Sequence, residues 1–293
     1  MQIVIGTRGS KLALAQADAV RKRLEVAYPD DTFVLKVIKT TGDRIADKPL
    51  NQIGDKGLFV KEIERELLCG SIQMAVHSMK DMPSELPRGL CFANFWERED
   101  PRDVLILRSA ESLDRLPAHA VIGTGSRRRA YQLLMLRPDL NIVDIRGNVD
   151  TRLKKLESLH MDGIVLAAAG LHRLGKEDVI TQYLEPEQMV PAVAQGTLAI
   201  EVRGDEKALL DKLNRLSDAN TQRCTETERS FLKEVGGDCH LPVGAYASVL
   251  PNGKIQLQTV YGDAEGRRIR KASVTGDKPS DIAQEAVKII RGA

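Results

Sequence analysis

Short apolar runs alternate with amphipathic stretches of helical period through the first two-thirds of this chain, which restricts it to an α/β architecture. Residues 3–5 read as a strand. Residues 11–27 read as a helix, with Ala13, Ala17, Val20 and Leu24 on one face and Ser10 at the N-cap. A second strand is expected over 33–38, then a helix over 58–68 with Phe59, Ile63 and Leu67 in phase. A third strand over 74–76 runs into the loop 77–83. A second block follows the same logic, with strands at 104–107, 121–122, 141–145 and 164–167 and helices at 127–136 and 149–159. The polar stretch 97–103 between the blocks reads as a crossing linker, and the residues show no internal repeat.

From about residue 216 the pattern changes. A helix through 227–234 precedes strands at 243–249, 254–260 and 267–274, with turn residues at Pro251, Asn252 and Gly253 and at 262–266. A closing helix over 280–290 completes a small α+β tail. The chain is 293 residues long, enough for two domains or three small ones. Lys and Arg number 43 against 41 for Asp and Glu, so no global charge draws it to nucleic acid or membrane, and any basic site is local. Aromatics are only 4%, poor material for stacking bases. The first residues lack the basic and apolar regions of a signal peptide, and no segment approaches a membrane span, so a cytoplasmic location is expected.

Arginines collect where helix electrostatics does not favour them. Arg8 lies in Gly6-Thr7-Arg8-Gly9-Ser10, Arg127, Arg128 and Arg129 follow Gly123-Thr124-Gly125-Ser126, and Arg146 precedes Gly147 and Asn148 with Arg152 one turn on. All three are strand-to-helix junctions, at the strand edge where open α/β sheets place ligands. A helix N-terminus carries partial positive charge, so three arginines there cost about 0.3–1 kcal/mol each unless compensated. Solvation, or pairing with local acids such as Asp144 and Asp150, would explain one junction. Three junctions in one chain favour a bound polyanion, with guanidinium forks on carboxylates. Neither glycine segment has nucleotide-binding spacing.

Lys80 and Asp81 stand in the loop His77-Ser78-Met79-Lys80-Asp81-Met82-Pro83, where Asp81 is either a solvated turn acid or a carboxylate that stabilises a developing cation. Cys239 lies between Gly236-Gly237 and Pro242 to Gly244. Such a loop can hold a thiol clear of the interior or bury it as a small hydrophobe. Cys69, Cys91, Cys224 and Cys239 include no CxxC pair and the histidines show no ligand spacing, so no metal is expected, and a Cys239–His240 catalytic pair is discounted because neighbours in an extended loop point to opposite sides.

Taken together the motifs resemble the porphobilinogen deaminase (hydroxymethylbilane synthase) family. They are Gly6 to Ala13, Thr40 to Asp43, Lys56 to Glu62, His77 to Pro83, Gly123 to Arg129, Arg146 to Asn148, Ala167 to Gly170 and the Cys239 loop, in the family's order across nearly the whole chain. The resemblance implies a transferase that adds four porphobilinogens, each losing ammonia, to a dipyrromethane cofactor attached by a thioether to Cys239, and then releases a linear tetrapyrrole. It implies Asp81 as the catalytic carboxylate, with Asp81, Lys80, Ser126, Arg128 and Arg129 on the cofactor. Arg8, Ser10, Arg146, Arg152 and Arg173 would hold substrate carboxylates.

The implied fold is two periplasmic-binding-protein-like (type II) α/β domains with a cleft between them, plus a small α+β C-terminal domain. The expected division is 1–96 with about 197–214, 97–196, and 215–293. A monomer acting on a small molecule, without nucleic acid or membrane, is expected. Two departures from the family pattern are Asp238, where a second glycine is usual, and Arg127, where an apolar residue is common. A non-catalytic anion-binding module would account for the arginines but leaves Cys239 without a role. A cysteine acyltransferase lacks its histidine base.

Overall fold

The computed structural model describes residues 1–40, 60–236, 241–263 and 269–292. Contacts divide the chain into two units, Met1–Arg98 with Thr197–Gln222, and Glu99–Gly196 with Arg223–Ala293.

The first unit is built on β1 (Gln2–Thr7), β2 (Thr32–Val37), β3 (Met74–Ser78), β4 (Leu90–Phe92) and β10 (Leu198–Arg203), in the order β2-β1-β3-β10-β4. β1 runs parallel to β2 and β3, whereas β10 runs antiparallel to β3 and β4. Both faces are covered, so the inner strands are apolar almost throughout. Ile3, Ile5, Met74, Val76, Ile200 and Val202 pack toward α1 (Lys11–Ala27) and α6 (Lys207–Asn214). Ala75 and Leu90 pack toward α2 (Lys61–Leu68) through Ile63 and Leu67. The first helix has the expected bounds. The Ser10 side chain accepts from the Ala13 N–H at 3.2 Å, and Ala17, Val20 and Leu24 are buried.

The second unit contains β5 (Asp103–Leu107), β6 (Val121–Gly123), β7 (Asn141–Val143), β8 (Gly163–Ala167) and β9 (Gln182–Leu184), in the order β7-β6-β8-β5-β9. β6 is parallel to β7 and β8, and β5 is antiparallel to β8 and β9. This is the plan of the first sheet again. The repeat is absent from the residues because the corresponding strands share topology and burial only. The chain also exchanges the antiparallel position: β5 enters the second sheet directly after β4, and β10 enters the first directly after the second is finished. Helices α3 (Arg127–Leu136), α4 (Val149–Ser158) and α5 (Ala168–His172) cover the second sheet, with Leu133 on one face and Leu156 and Leu171 on the other.

The tail begins with α7 (Ala219–Glu234), whose first turn is capped by Asp218 accepting from the Thr221 N–H at 2.7 Å. An antiparallel meander follows: β11 (Val243–Val249), β12 (Ile255–Gly262) and β13 (Ile269–Gly276), in that order, with α8 (Pro279–Arg291) packed on it through Ala283, Ala286 and Val287. β11 is an edge strand, and two of its outer N–H groups are satisfied from elsewhere in the unit. Ala245 donates to the Pro191 carbonyl at 3.1 Å, and Ala247 to Glu228 at 2.8 Å. Two α/β sheets and an α+β tail are thus the expected classes of structure. The short strands β4, β9 and β10 and the helix α6 were not expected. The polar linker ends one residue early, since Asp103 already belongs to β5.

Candidate functional site

In the first unit the site residues leave the C-terminal ends of two neighbouring parallel strands. β1 ends at Thr7, whose hydroxyl donates to the Ala13 carbonyl at 3.0 Å, and the chain turns through Arg8 to the Ser10 cap of α1. β3 ends at Ser78 and passes into one 3-10 turn, Met79–Asp81. Gln16 on α1 donates to the Ser78 hydroxyl at 2.9 Å, and the Met79 N–H donates to the Thr197 carbonyl at 3.0 Å. Met79 is buried as the wedge of this turn, Lys80 is half-buried and Asp81 is exposed. Arg8, Ser10, Lys80 and Asp81 are therefore brought to one sheet edge. His77, read as part of a loop, is a buried residue of β3, where its Nε2 lies 3.0 Å from Glu201 of β10.

In the second unit the three parallel strands β6, β7 and β8 carry the remaining residues beyond their C-terminal ends. Ser126 caps α3 by accepting from the Arg129 N–H at 3.4 Å. Gly125 approaches so closely that a Cβ there would lie 2.8 Å from the Ile145 carbonyl. After β7, Gly147 takes φ of 114°, a conformation favouring glycine, before Asn148 caps α4. Arg146 Nε donates to Asp144 at 3.1 Å and Arg152 Nε to the Gly147 carbonyl at 2.8 Å. Arg173, just past α5, donates to the Gly196 carbonyl at 2.6 Å, and burial pushes its guanidinium down to about 10, still protonated at neutral pH.

Arg128 and Arg129 have an ion-pair partner that the sequence reading did not name. It is Asp103, some two dozen residues earlier and fully buried at the start of β5. Its Oδ2 accepts from Arg128 Nη1 at 2.6 Å, and its Oδ1 accepts from Arg129 Nε at 3.0 Å and Nη2 at 2.8 Å. Gln195 adds a bond to Oδ1 at 3.0 Å. Burial alone would raise the Asp103 carboxyl, but the two guanidiniums hold it well below the usual carboxylate range. Both arginines are 6% exposed, and Arg127 alone of the three is exposed. The signal for Asp103 was present, a carboxylate heading the apolar run 104–107, but it sat within a charged stretch that masked it.

Glu228 on α7 was also unassigned. It is fully buried and accepts from the Ala194 N–H at 2.6 Å as well as from Ala247. Ala194 has φ of 57°, uncommon outside glycine. Cys239, with Asp238 and His240, lies outside the described residues, as do Phe59 and the motif residues 41–43 and 56–59. Among the described residues no group of side chains could hold a metal ion, and no helix is long and apolar enough to cross a membrane.

A family model described as porphobilinogen deaminase, dipyromethane cofactor binding domain, matches residues 3–211, and one described as porphobilinogen deaminase, C-terminal domain, matches 222–291. The chain belongs to the porphobilinogen deaminase family. Relatives named porphobilinogen deaminase include one from Lachnospira eligens, 56% identical over 99% of this chain and 99% of its own. One from Clostridioides difficile is 51% identical over 99% of this chain and 97% of its own, and one from Bacillus subtilis is 46% identical over 98% and 92%. Among solved structures the methionine-binding protein MetQ overlaps with a TM-score of 0.46 at 13% identity, covering 73% of this chain and 89% of that one. The matched family domain is a dipyrromethane-binding one.

Proposed function

We propose that the chain joins four porphobilinogen molecules head to tail with loss of ammonia, on a dipyrromethane cofactor attached through the Cys239 thioether, and releases the linear tetrapyrrole. The observation that carries this reading is the family match along the whole chain, joined to basic side chains at the C-terminal strand edges of both sheets. We keep the three-domain division, with residues 215–293 carrying the attachment cysteine.

The residues fit such a group. Its acetate and propionate carboxylates need charge-assisted donors, and Arg128 supports the fit: Nε and Nη2 have no protein acceptor among the described residues, although the side chain is nearly buried. Lys80, Ser126, Arg128 and Arg129 hold the cofactor; Arg8, Ser10, Arg146, Arg152 and Arg173 take substrate carboxylates. When bound, dipyrromethane supplies the pyrrole carbon from which the chain grows. Asp81 is exposed beyond β3 on a turn fixed by buried Met79. Its carboxylate hydrogen-bonds the pyrrole N–H of porphobilinogen and stabilises the cation left as ammonia departs. Arg173 stays charged despite its burial and keeps an anion-binding role across the neutral range.

The test is the intact mass of the purified protein. An excess equal to two linked pyrrole units is expected, absent in Cys239→Ser. Active protein with the bare sequence mass would exclude the attachment. Asp81→Ala should keep the excess and lose ammonia release, and near-normal release would remove Asp81 from the chemistry.

A further inference from the structure

Two guanidiniums and one carboxylate, all nearly or fully buried, form a cluster with one net positive charge at the edge of the second sheet. Taking ions out of water costs several kcal/mol each, so a cluster like this is a costly way to supply one positive charge. A surface arginine would supply the same charge at almost no cost. What the cluster adds is fixed geometry. Arg128 Nη1 is used twice, on Asp103 at 2.6 Å and on the Val190 carbonyl at 2.7 Å. Arg129 is held by Asp103 through Nε and Nη2 and by the Val165 carbonyl through Nη1 at 3.0 Å. Gln195 fixes Asp103 in turn, and donates also to the Pro101 carbonyl at 2.7 Å. Among the described residues the Nε–Nη2 edge of Arg128 meets no protein acceptor, and that edge pairs side-on with a carboxylate.

We infer that Asp103 is a positioning residue for the reaction: it occupies the inner edges of Arg128 and Arg129 and so presents the Nε–Nη2 edge of Arg128 to a pyrrole carboxylate in one fixed direction. This rests on the reading that Arg128 holds such carboxylates. Asp103, fully buried and bonded to Arg128, Arg129 and Gln195, acts through the arginines. It also blocks the fork between the two arginines, so a carboxylate cannot bind there in a wrong register.

Orientation and charge predict opposite signs. Asp103→Asn removes a negative charge, which by field alone should tighten binding of a dicarboxylate. If Asp103 acts by orientation, the amide sets an N–H against a guanidinium donor and releases one arginine. The cofactor held by Arg128 is the acceptor that porphobilinogen must meet, so its displacement raises KM for porphobilinogen about tenfold, the size of one charge-assisted hydrogen bond. The fraction of purified chains carrying the cofactor mass falls as well. A wild-type cofactor fraction, or a KM at or below the wild-type value, overturns the inference. Should Asp103→Asn not fold, Gln195→Met keeps both ion pairs, removes one bond to Asp103, and is read by the same two measurements with a smaller rise of roughly threefold. Arg128→Lys separates the two ideas. An unchanged cofactor fraction there refutes carboxylate binding by Arg128, whereas a lowered fraction there with wild-type behaviour in both other variants refutes positioning alone.

Discussion

Glu228→Gln should unfold at markedly lower denaturant or temperature, because that side chain joins three parts of the second unit. Its Oε2 accepts from Ala194 at 2.6 Å and its Oε1 from Ala247 at 2.8 Å, with no exposure to solvent. Glutamine keeps one acceptor. Its amide nitrogen then faces a backbone N–H, so one charge-assisted bond is lost and one buried donor is left unpaired. The first loss costs about 1.5–3 kcal/mol and the second about 1–3 kcal/mol. A total of about 4 kcal/mol corresponds to a fall of roughly 10 °C in melting temperature for a unit of this size. Urea unfolding followed by circular dichroism reads the same quantity as a lower midpoint at unchanged slope. A midpoint indistinguishable from wild type would show that these bonds contribute nothing net, and the account of the covered β11 edge would be wrong.

The buried acid Glu64 on α2 gives a pH-dependent case. Burial pushes its carboxyl up from 4.5 and the nearby Glu201 adds to this, against smaller opposing effects of His77 and Lys61. Its contribution to stability is full below 4.5 and is lost as pH rises through the higher folded value. Glu64→Gln should therefore melt above wild type at pH 8 and lose that advantage at pH 4; an equal difference at both pH values would refute the assignment. At Gly147, a Cβ would lie 2.6 Å from Thr151 Cγ2 on a backbone at φ of 114°. Gly147→Ala should cost about 1–3 kcal/mol in thermal stability and raise KM, because Arg146 and Arg152 flank it; unchanged values of both would refute the strain argument.

The elements legible in the sequence were those whose signals are local. The first helix could be read to its ends because Ser10 caps it and Ala17, Val20 and Leu24 fall in phase. The third helix could be read likewise from Ser126. β10 was missed because Glu201 stands in the middle of its apolar run, and only the fold supplies His77 as partner. The candidate site was legible as a set of residue types at strand ends. Which arginines are open to a ligand was not legible, because Asp103 is separated in sequence from both Arg128 and Arg129. A charge run such as 97–103 looks the same whether its last acid is solvated or becomes the first buried residue of a strand.

The exchanged antiparallel strands impose an order on synthesis. Residues 103–184 contain every strand of the second sheet, so that sheet can close as soon as they have emerged. The first sheet cannot, because β10 separates β3 from β4 and is made last. Until residues 198–203 appear, β3 is an open edge that exposes Met74 and Val76, and β4 has no neighbour. The amino-terminal half of the nascent chain must therefore wait for the middle to finish, the reverse of the usual vectorial sequence. Long-range closure of β10 onto β3 is the step expected to set the folding rate of the first sheet.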